Sequence, residues 1–398
     1  MKQLIQVLCA LALLSAVLLR VSTQAAAQPW RGVADVLTVR TGFPPREGNA
    51  YTLFPEGSQM ADSLLCDIAR ARESIDLEYF WFEADSVGRR FREALIARAR
   101  EGVQVRMLID NILLPAMPRS FFTPMEQAGV ELRYFVDYER PLIPLLGKVA
   151  HRDHRKLVIL DGEHVYVGGM NITHLTYSFT DFHLRLEGPV VAAFADLFEK
   201  EWAGHGGTPR PVPAPGAPCG SVIAQAAPGY PGEDSPLLGA FYQMIDQAKT
   251  YLWIQSPYLN FPPELMEHLK GAASRGVDVR IVTPHHKDLL LVASLCRSYY
   301  PEMLSAGIRV FEFGEGFSHT KVVVSDDVVA TVGSLNLNYR SLKKDYECNV
   351  FFYGEESVLP VKDYFQKYLE RCNEITSFHP NPIERLQERF IRLFRQIA

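Results

Sequence analysis

The chain has 398 residues, 47% of them hydrophobic and 22% charged, with 41 Lys and Arg against 46 Asp and Glu for a formal net charge of −5. That length and apolar content exclude a disordered chain and suffice for two domains of ordinary size, while the acidic balance argues against blanket binding of a phosphate backbone, so no nucleic-acid partner is expected. The six cysteines, at positions 9, 66, 219, 296, 348 and 372, form no C-x-x-C pair and no Cys/His cluster, which excludes a zinc site of ordinary spacing; with Cys9 in the leading apolar segment, the other five cannot all pair.

MKQ is followed by the apolar run LIQVLCALALLSAVLL, Arg20 and VSTQAAAQPW. A basic start, a short apolar segment and an A-x-A pattern at Ala25 to Ala27 predict a signal peptide over residues 1–27; uncleaved, the same segment is a short membrane anchor, just below the usual span of about 20 residues. The body then lies outside the cytoplasm, held at a membrane or, if the leader is cleaved, released from it. From residue 45 to 205, strand patterns (SIDLEYFWF, VQVRMLID, VELRYF) alternate with helix patterns such as SVGRRFREALIARAREG, the signature of α/β layers. Residues 206–220, within HGGTPRPVPAPGAPCG, are too rich in proline and glycine for helix or central strand and read as a linker. Residues 221–375 repeat the alternation, and residues 380–398 form an amphipathic helix pattern with Ile383, Leu386, Phe390, Leu393, Phe394 and Ile397 on one face and arginines mostly on the other.

The two halves match in detail. AREGVQVRMLI (99 to 109) answers ASRGVDVRIVT (273 to 283), and AGVELRYF (128 to 135) answers AGIRVFEF (306 to 313), each glycine fitting a helix C-terminus that leads into a strand. A duplicated fold can build one site at its pseudo-twofold interface, so paired chemistry is the thing to seek. HRKLVILDGEHVYVGGMN (154 to 171) lies over HTKVVVSDDVVATVGSLN (319 to 336) without a gap, pairing His154 with His319, Lys156 with Lys321, Asp161 with Asp326 and Asn171 with Asn336.

If RKLVIL and TKVVVS are strands, His and Lys two positions apart project from the same face and meet one ligand together. Two such pairs across a cleft suit a phosphodiester. One imidazole attacks phosphorus, the other protonates the departing alkoxide, and the lysines neutralise the non-bridging oxygens, with no metal or other cofactor required. Asn171 and Asn336, with Ser334, are the candidate phosphate contacts. Asp161 and Asp326 stand an odd number of positions from their histidines and past the strand, so the pleat turns them elsewhere and they read as scaffold. A nucleophilic histidine needs its second ring nitrogen held by an acceptor. Asp181 in DFHLRLEGP, 27 residues after His154, and Glu347 in KDYECNVFF, 28 after His319, are the candidates, assigning Asp181 to His154 and Glu347 to His319.

Both copies match H-x-K-(x)4-D followed by Gly-Gly or Gly-Ser and Asn, and the chain thereby resembles the phospholipase D superfamily through roughly residues 45 to 375. Within it, IDLEYFWFEADSVGRRFREALIARAREGVQVRMLID, DFHLRLEGPVV, SPYLNFPPELMEHLKGAASRGVDVRIVTP and VGSLNLNYRS are most similar to bacterial cardiolipin synthases. The resemblance implies two phospholipase D-like α/β domains related by a pseudo-twofold with one interfacial active site. It also implies a catalytic set of His154, Lys156, Asp161, His319, Lys321 and Asp326, and a phosphohistidine intermediate on His154 with His319 as acid and then base. The implied reaction is transfer of a phosphatidyl group between phospholipids at a membrane surface: two phosphatidylglycerol give cardiolipin and glycerol, with phosphatidylethanolamine a second candidate substrate. The alternatives are a hydrolytic phospholipase D, in which water resolves the same intermediate, and a secreted nuclease of the superfamily, which the acidic charge disfavours. The chain departs from the common family pattern in having a single leader where many members carry two spans, and in its proline-rich linker.

Other features have plainer readings. His151 and His154 would face opposite ways on an extended segment, which speaks against a metal pair. HHKDLLL (285 to 291) has the wrong spacing for the motif, and His183 reads as a satisfied strand or cleft residue. An insertion of about 13 residues in the first half contains the apolar RPLIPLLGKVA, a buried connection or a lipid-entry lip.

Overall fold

A computed structural model describes residues 28–110, 116–136, 151–285 and 290–380. The leader, RPLIPLLGKVA, residues 286–289 of HHKDLLL and the C-terminal amphipathic pattern beyond residue 380 lie outside the described residues. Among the described residues no helix is long and apolar enough to cross a membrane.

The first half comprises β1 (Arg46–Glu56), β2 (Ser74–Tyr79), β3 (Gln104–Ile109), β4 (Glu131–Tyr134), β5 (Lys156–Leu160), β6 (His164–Gly168) and β7 (Phe179–Glu187), in spatial order β4-β3-β2-β5-β6-β7-β1. The second half comprises β8 (Val222–Gly229), β9 (Tyr251–Gln255), β10 (Asp278–Pro284), β11 (Arg309–Phe313), a two-residue β12 (Phe317–Ser318), β13 (Val322–Ser325), β14 (Val329–Gly333), β15 (Glu347–Tyr353) and an edge strand β16 (Cys372–Ile375). Its order, β11-β10-β9-β13-β14-β15-β8, is the same path with each strand replaced by its repeat. β1 pairs antiparallel with both β7 and β8, so the halves join into one 16-stranded sheet.

Local chemistry sets the elements. Parallel neighbours need a crossover: α3 (Ser86–Arg100) links β2 to β3, and α7 (Pro263–Ser274) links β9 to β10, after α1 (Arg31–Thr41), α2 (Gly57–Arg70), α4 (Arg119–Gln127), α5 (Val191–Gly204) and α6 (Pro236–Gln247) in the chain count. Asp85 caps α3, its carboxylate accepting from the Gly88 N–H at 2.8 Å. Gly102 and Gly276 end the two crossover helices at φ of +92° and +86°. Val103 N–H reaches back to the Arg98 carbonyl and Val277 N–H to that of Ala272, at 3.1 and 3.2 Å, a left-handed closure that a side chain would strain.

Asp161 and Asp326 sit at φ of +53° and +55° in the β5–β6 and β13–β14 turns. The Asp161 carboxylate accepts from the backbone N–H groups of Arg72, Glu73 and Ser74 at 2.8 to 3.2 Å, and Asp326 from those of Lys249, Thr250 and Tyr251 at 2.7 to 2.9 Å. Each pins its hairpin to the entry of the neighbouring strand. The catalytic place that the motif resemblance gives these aspartates is therefore corrected: their oxygens are spent on backbone donors, as the pleat argument expects.

Three large apolar clusters follow, beside a small one at Phe135 and Val136. One lies within the first half, one joins Val33, Ala34 and Leu37 of the N-terminal helix to the second half, and the third takes Leu184, Phe194 and Trp202 from the first half and Val350, Phe352 and Phe365 from the second. α5 and α11 (Glu355–Leu369), which follows α8 (Leu290–Arg297), α9 (Tyr300–Ser305) and α10 (Tyr339–Lys343), contribute to this shared core. Phe194 is fully buried there, so truncating it to alanine costs about 3–5 kcal/mol. That shared packing fixes one half against the other, which a site built from both requires. Between them, residues 207–219 carry neither helix nor strand, and Arg210 fastens this stretch to the first half through Asp76, Gln104 and Glu199.

Candidate active site

His154 stands two residues before β5 and His319 three before β13, and the backbone of each is bonded to the opposite half. His154 N–H donates to the Tyr346 carbonyl at 2.9 Å, and His319 N–H to the Thr180 carbonyl at 2.7 Å. Tyr346 and Thr180 are the residues just before Glu347 and Asp181. The carboxylates are consequently crossed. His154 Nδ1 lies 3.0 and 3.1 Å from the two Glu347 oxygens, and His319 Nδ1 lies 2.7 Å from Asp181 Oδ2. The expectation that each acid serves the histidine of its own half is corrected: parallel pairing of β12 with β7, and the bridge between Asp153 and Tyr346, carry each histidine to the other half's acid.

Lys156 and Lys321 are buried, and each ammonium donates to the carbonyl of its own histidine, at 2.5 Å for Lys156. Lys321 Nζ also lies 3.9 Å from Asp181 Oδ2. An ammonium has three donors, so the bond to the carbonyl aims the group while leaving capacity for a ligand. Burial drives the His154 imidazole down to about 4; Glu347 pulls it upward while Lys156 and Lys321 reinforce the burial. His319 is lowered by burial and by Lys321 and Lys156, against Asp181. Burial likewise brings Lys156 down to about 7, aided by Lys321 and opposed by Glu347. Burial pushes Asp181 and Glu347 upward, but the facing cations and hydrogen bonds outweigh it and hold both below the usual carboxylate range. At neutral pH the centre thus presents two uncharged imidazoles, each bonded to a carboxylate, between lysines that an anion would neutralise.

Asn171 and Asn336 follow β6 and β14, and the side-chain oxygen of each is buried without a protein partner. A carboxamide left so is available to a ligand, and turned about its last bond it presents N–H donors. Ser334 does not join them. Its hydroxyl donates to Glu347 Oε2 and accepts from Cys348 N–H at 2.9 Å, so it orients the acid, which corrects its reading as a phosphate contact. The equivalent Gly169 is backed by Asp181, whose oxygens lie 2.4 and 2.5 Å from where a Cβ would stand. The Gly-Gly and Gly-Ser variants of the motif thus match the two acids.

Comparison with known proteins bears on what such a centre serves. The family model described as cardiolipin synthase, PLD-like domain, matches residues 64–202 and 241–369. The chain is 33% identical over 351 residues to the major cardiolipin synthase of Bacillus subtilis, covering 82% of this chain and 72% of that one. It is 31% identical over 359 residues to a cardiolipin synthase of Listeria welshimeri, covering 87% and 74%. The chain belongs to the cardiolipin synthase family. As a family member it is a phosphatidyltransferase of the phospholipase D-like fold. Among solved structures, the phosphatidylserine synthase of Haemophilus influenzae Rd KW20 superposes with a TM-score of 0.70 at 15% identity, over 92% of this chain and all of that one, a likeness of fold.

Around this cardiolipin synthase-type centre lie residues that motif reading missed. Arg155, between His154 and Lys156, points to the opposite face, where it meets Glu78 and Glu201 at 3.0 Å each and donates to the Glu347 carbonyl at 3.1 Å. The second half is neutral there: Thr320 replaces Arg155, and Gln255 donates to Ser318 at 3.0 Å where the first half has Glu78 and Asp153. Glu78, an acid inside an apolar strand pattern, was the available signal. Phe80 packs its ring 5.0 Å from His154, and Tyr258 lies 6.2 Å from His319. His151 bonds the Lys344 carbonyl at 2.6 Å. His183 is fully buried on β7 with neither ring nitrogen bonded, which corrects its reading as a satisfied residue.

Proposed function

We propose that His154 and His319 carry out a two-step phosphatidyl transfer that converts two molecules of phosphatidylglycerol into cardiolipin and glycerol. In the first step His154 Nε2 attacks the donor phosphorus. The P–N bond forms, the P–O bond to the headgroup glycerol breaks, and His319 gives that oxygen its proton. In the second, a hydroxyl of the acceptor gives its proton to His319 and attacks phosphorus; the P–N bond breaks and His154 is restored. Lys156 and Lys321 stabilise the non-bridging oxygens in both transfers, with Asn171 and Asn336 as further donors. Glu347 holds the tautomer of His154 that leaves Nε2 unprotonated, and Asp181 steadies the charge that appears on His319. The observation that carries this reading is the pair of half-buried imidazoles, each with Nδ1 committed to a carboxylate.

The substrates imply action at a membrane surface, with residues 1–27 as signal peptide or anchor on the periplasmic side of an inner membrane, and with residues 45–205 and 221–375 as the two catalytic units. The deciding experiment is incubation of the purified chain with labelled phosphatidylglycerol. Cardiolipin with an equivalent of glycerol is expected, and phosphatidic acid as sole product would sink the reading in favour of hydrolysis. Adding phosphatidylethanolamine tests it as a second substrate. Activity is expected to survive exhaustive chelation.

A further inference from the structure

A cavity of about 350 Å³ opens beside the reacting centre, with His154 and Phe80 in one wall and Tyr258, Asn336, Asn338 and Arg340 in the others. It breaks the twofold symmetry of the site. Registering Asn171 on Asn336 sets Leu175 opposite Arg340, so the second half carries a guanidinium where the first carries an apolar side chain. Arg340 Nε is held by Asp345 Oδ2 at 2.9 Å, and Asp345 Oδ1 in turn accepts from the Arg152 N–H at 3.0 Å, two residues before His154. Among the described residues Asp345 is the ion-pair partner of Arg340, and the Arg340 side chain is 29% exposed. Asn336, only 5% exposed and with its amide oxygen unbonded, lines the same cavity. A guanidinium paired through Nε keeps its Nη donors for another ligand, and a planar pair of donors is the geometry that recognises a phosphate.

We propose that this cavity holds the phosphate of the acceptor phospholipid, with Arg340 as its cationic contact, an inference that rests on the transfer reaction above. The acceptor differs from water or free glycerol in carrying a second phosphate one glycerol unit away from the attacking hydroxyl. A site for it must therefore lie beside the reacting phosphate without overlapping it. The cavity spans from His154 to Tyr258, whose ring packs on His319, and so lies alongside the line of transfer. Phe80 and Tyr258 supply apolar walls for the carbons of the glycerol bridge. Holding the acceptor there favours transfer over hydrolysis, because the intermediate then meets a positioned hydroxyl.

The test uses the full chain with phosphatidylglycerol vesicles and labelled free glycerol. Exchange of label into phosphatidylglycerol reports resolution of the intermediate by an alcohol without phosphate; cardiolipin reports resolution by one with it. Arg340→Leu, which installs the side chain of the first half, is expected to lower the ratio of cardiolipin formation to glycerol exchange about tenfold. Arg340→Lys, which keeps the charge but loses the fork, is expected to lower the ratio by less, about threefold, and carries the test should the leucine variant not fold. A ratio unchanged in the folded variants, with wild-type chain making cardiolipin, overturns the assignment of Arg340 alone. Wild-type chain that yields only phosphatidic acid overturns the transfer reading and this inference together.

Discussion

Glu347 holds His154 across the boundary between the halves, with both carboxylate oxygens within 3.1 Å of Nδ1, and Asp181 returns the relationship at His319. Each acid should therefore share the phenotype of the opposite half's histidine. With a poor leaving group, Glu347→Gln and Asp181→Asn are each expected to slow formation of the phosphoenzyme by about 10²–10⁴. A p-nitrophenol leaving group needs no protonation, so it should rescue Asp181→Asn and His319→Ala but neither Glu347→Gln nor His154→Ala. Rescue of Glu347→Gln in place of Asp181→Asn would reverse the roles of the two histidines.

The repeat made much of this centre legible. His, Lys and Asn recur at fixed spacing, and strand periodicity alone separated Asp161 and Asp326 from the reacting groups. Partner choice was not legible, because spacings of 27 and 28 residues are the same whether each acid serves its own half or the other. The crossing is decided by backbone bonds from His154 to Tyr346 and from His319 to Thr180, which are tertiary. Ser334 was misread for a related reason. A serine in a phosphate motif suggests a ligand contact until the longer reach of Glu347, compared with Asp181, claims its hydroxyl.

Asp161 and Asp326 should matter to stability before they matter to chemistry. Each accepts backbone donors from three consecutive residues and occupies a left-handed position that asparagine tolerates better than alanine. Asp161→Ala is expected to lower the unfolding free energy by about 2 kcal/mol or more, and Asp161→Asn by less. Urea unfolding measures this directly. If the folded Asp161→Asn enzyme lost activity as severely as His154→Ala, the aspartate would have a role at the reacting centre that its bonding pattern does not provide.

Acid should destabilise the fold through imidazoles that their surroundings hold uncharged. Burial drives His183 down to about 3, with Lys156 adding to it and Asp181 opposing, and His154 down to about 4. In the unfolded chain both titrate near 6.5, so below that pH the unfolded state binds more protons and stability falls as pH falls, until the folded values are reached. Each histidine contributes a slope of up to about 1.4 kcal/mol per pH unit in that window. His183→Asn, which installs the residue that the second half has as Asn349, removes one titrating group. Denaturation midpoints between pH 7.5 and 4.5 should accordingly flatten by one proton relative to wild type. An unaltered slope would mean that His183 takes up a proton in the folded state.

The acid role of His319 requires a proton that its protein surroundings disfavour. Burial, Lys321 and Lys156 together lower its imidazole, while Asp181 favours the charged form. A bound anion neutralises the two lysines and removes their repulsion, leaving Asp181 at 2.7 Å as the nearest charge, so the imidazole should become protonated as the substrate arrives. Lys156, at about 7 among protein groups alone, should complete its own protonation in the same event. Sulfate serves as a probe because it does not titrate near neutral pH. Calorimetry at pH 7 in buffers of different ionisation heat is expected to show uptake of about one proton or more on sulfate binding. His319→Gln should reduce that uptake and Lys156→Met should remove a further part. Sulfate binding with no proton uptake would mean that His319 stays neutral beside the anion. The leaving oxygen would then have to draw its proton from another donor.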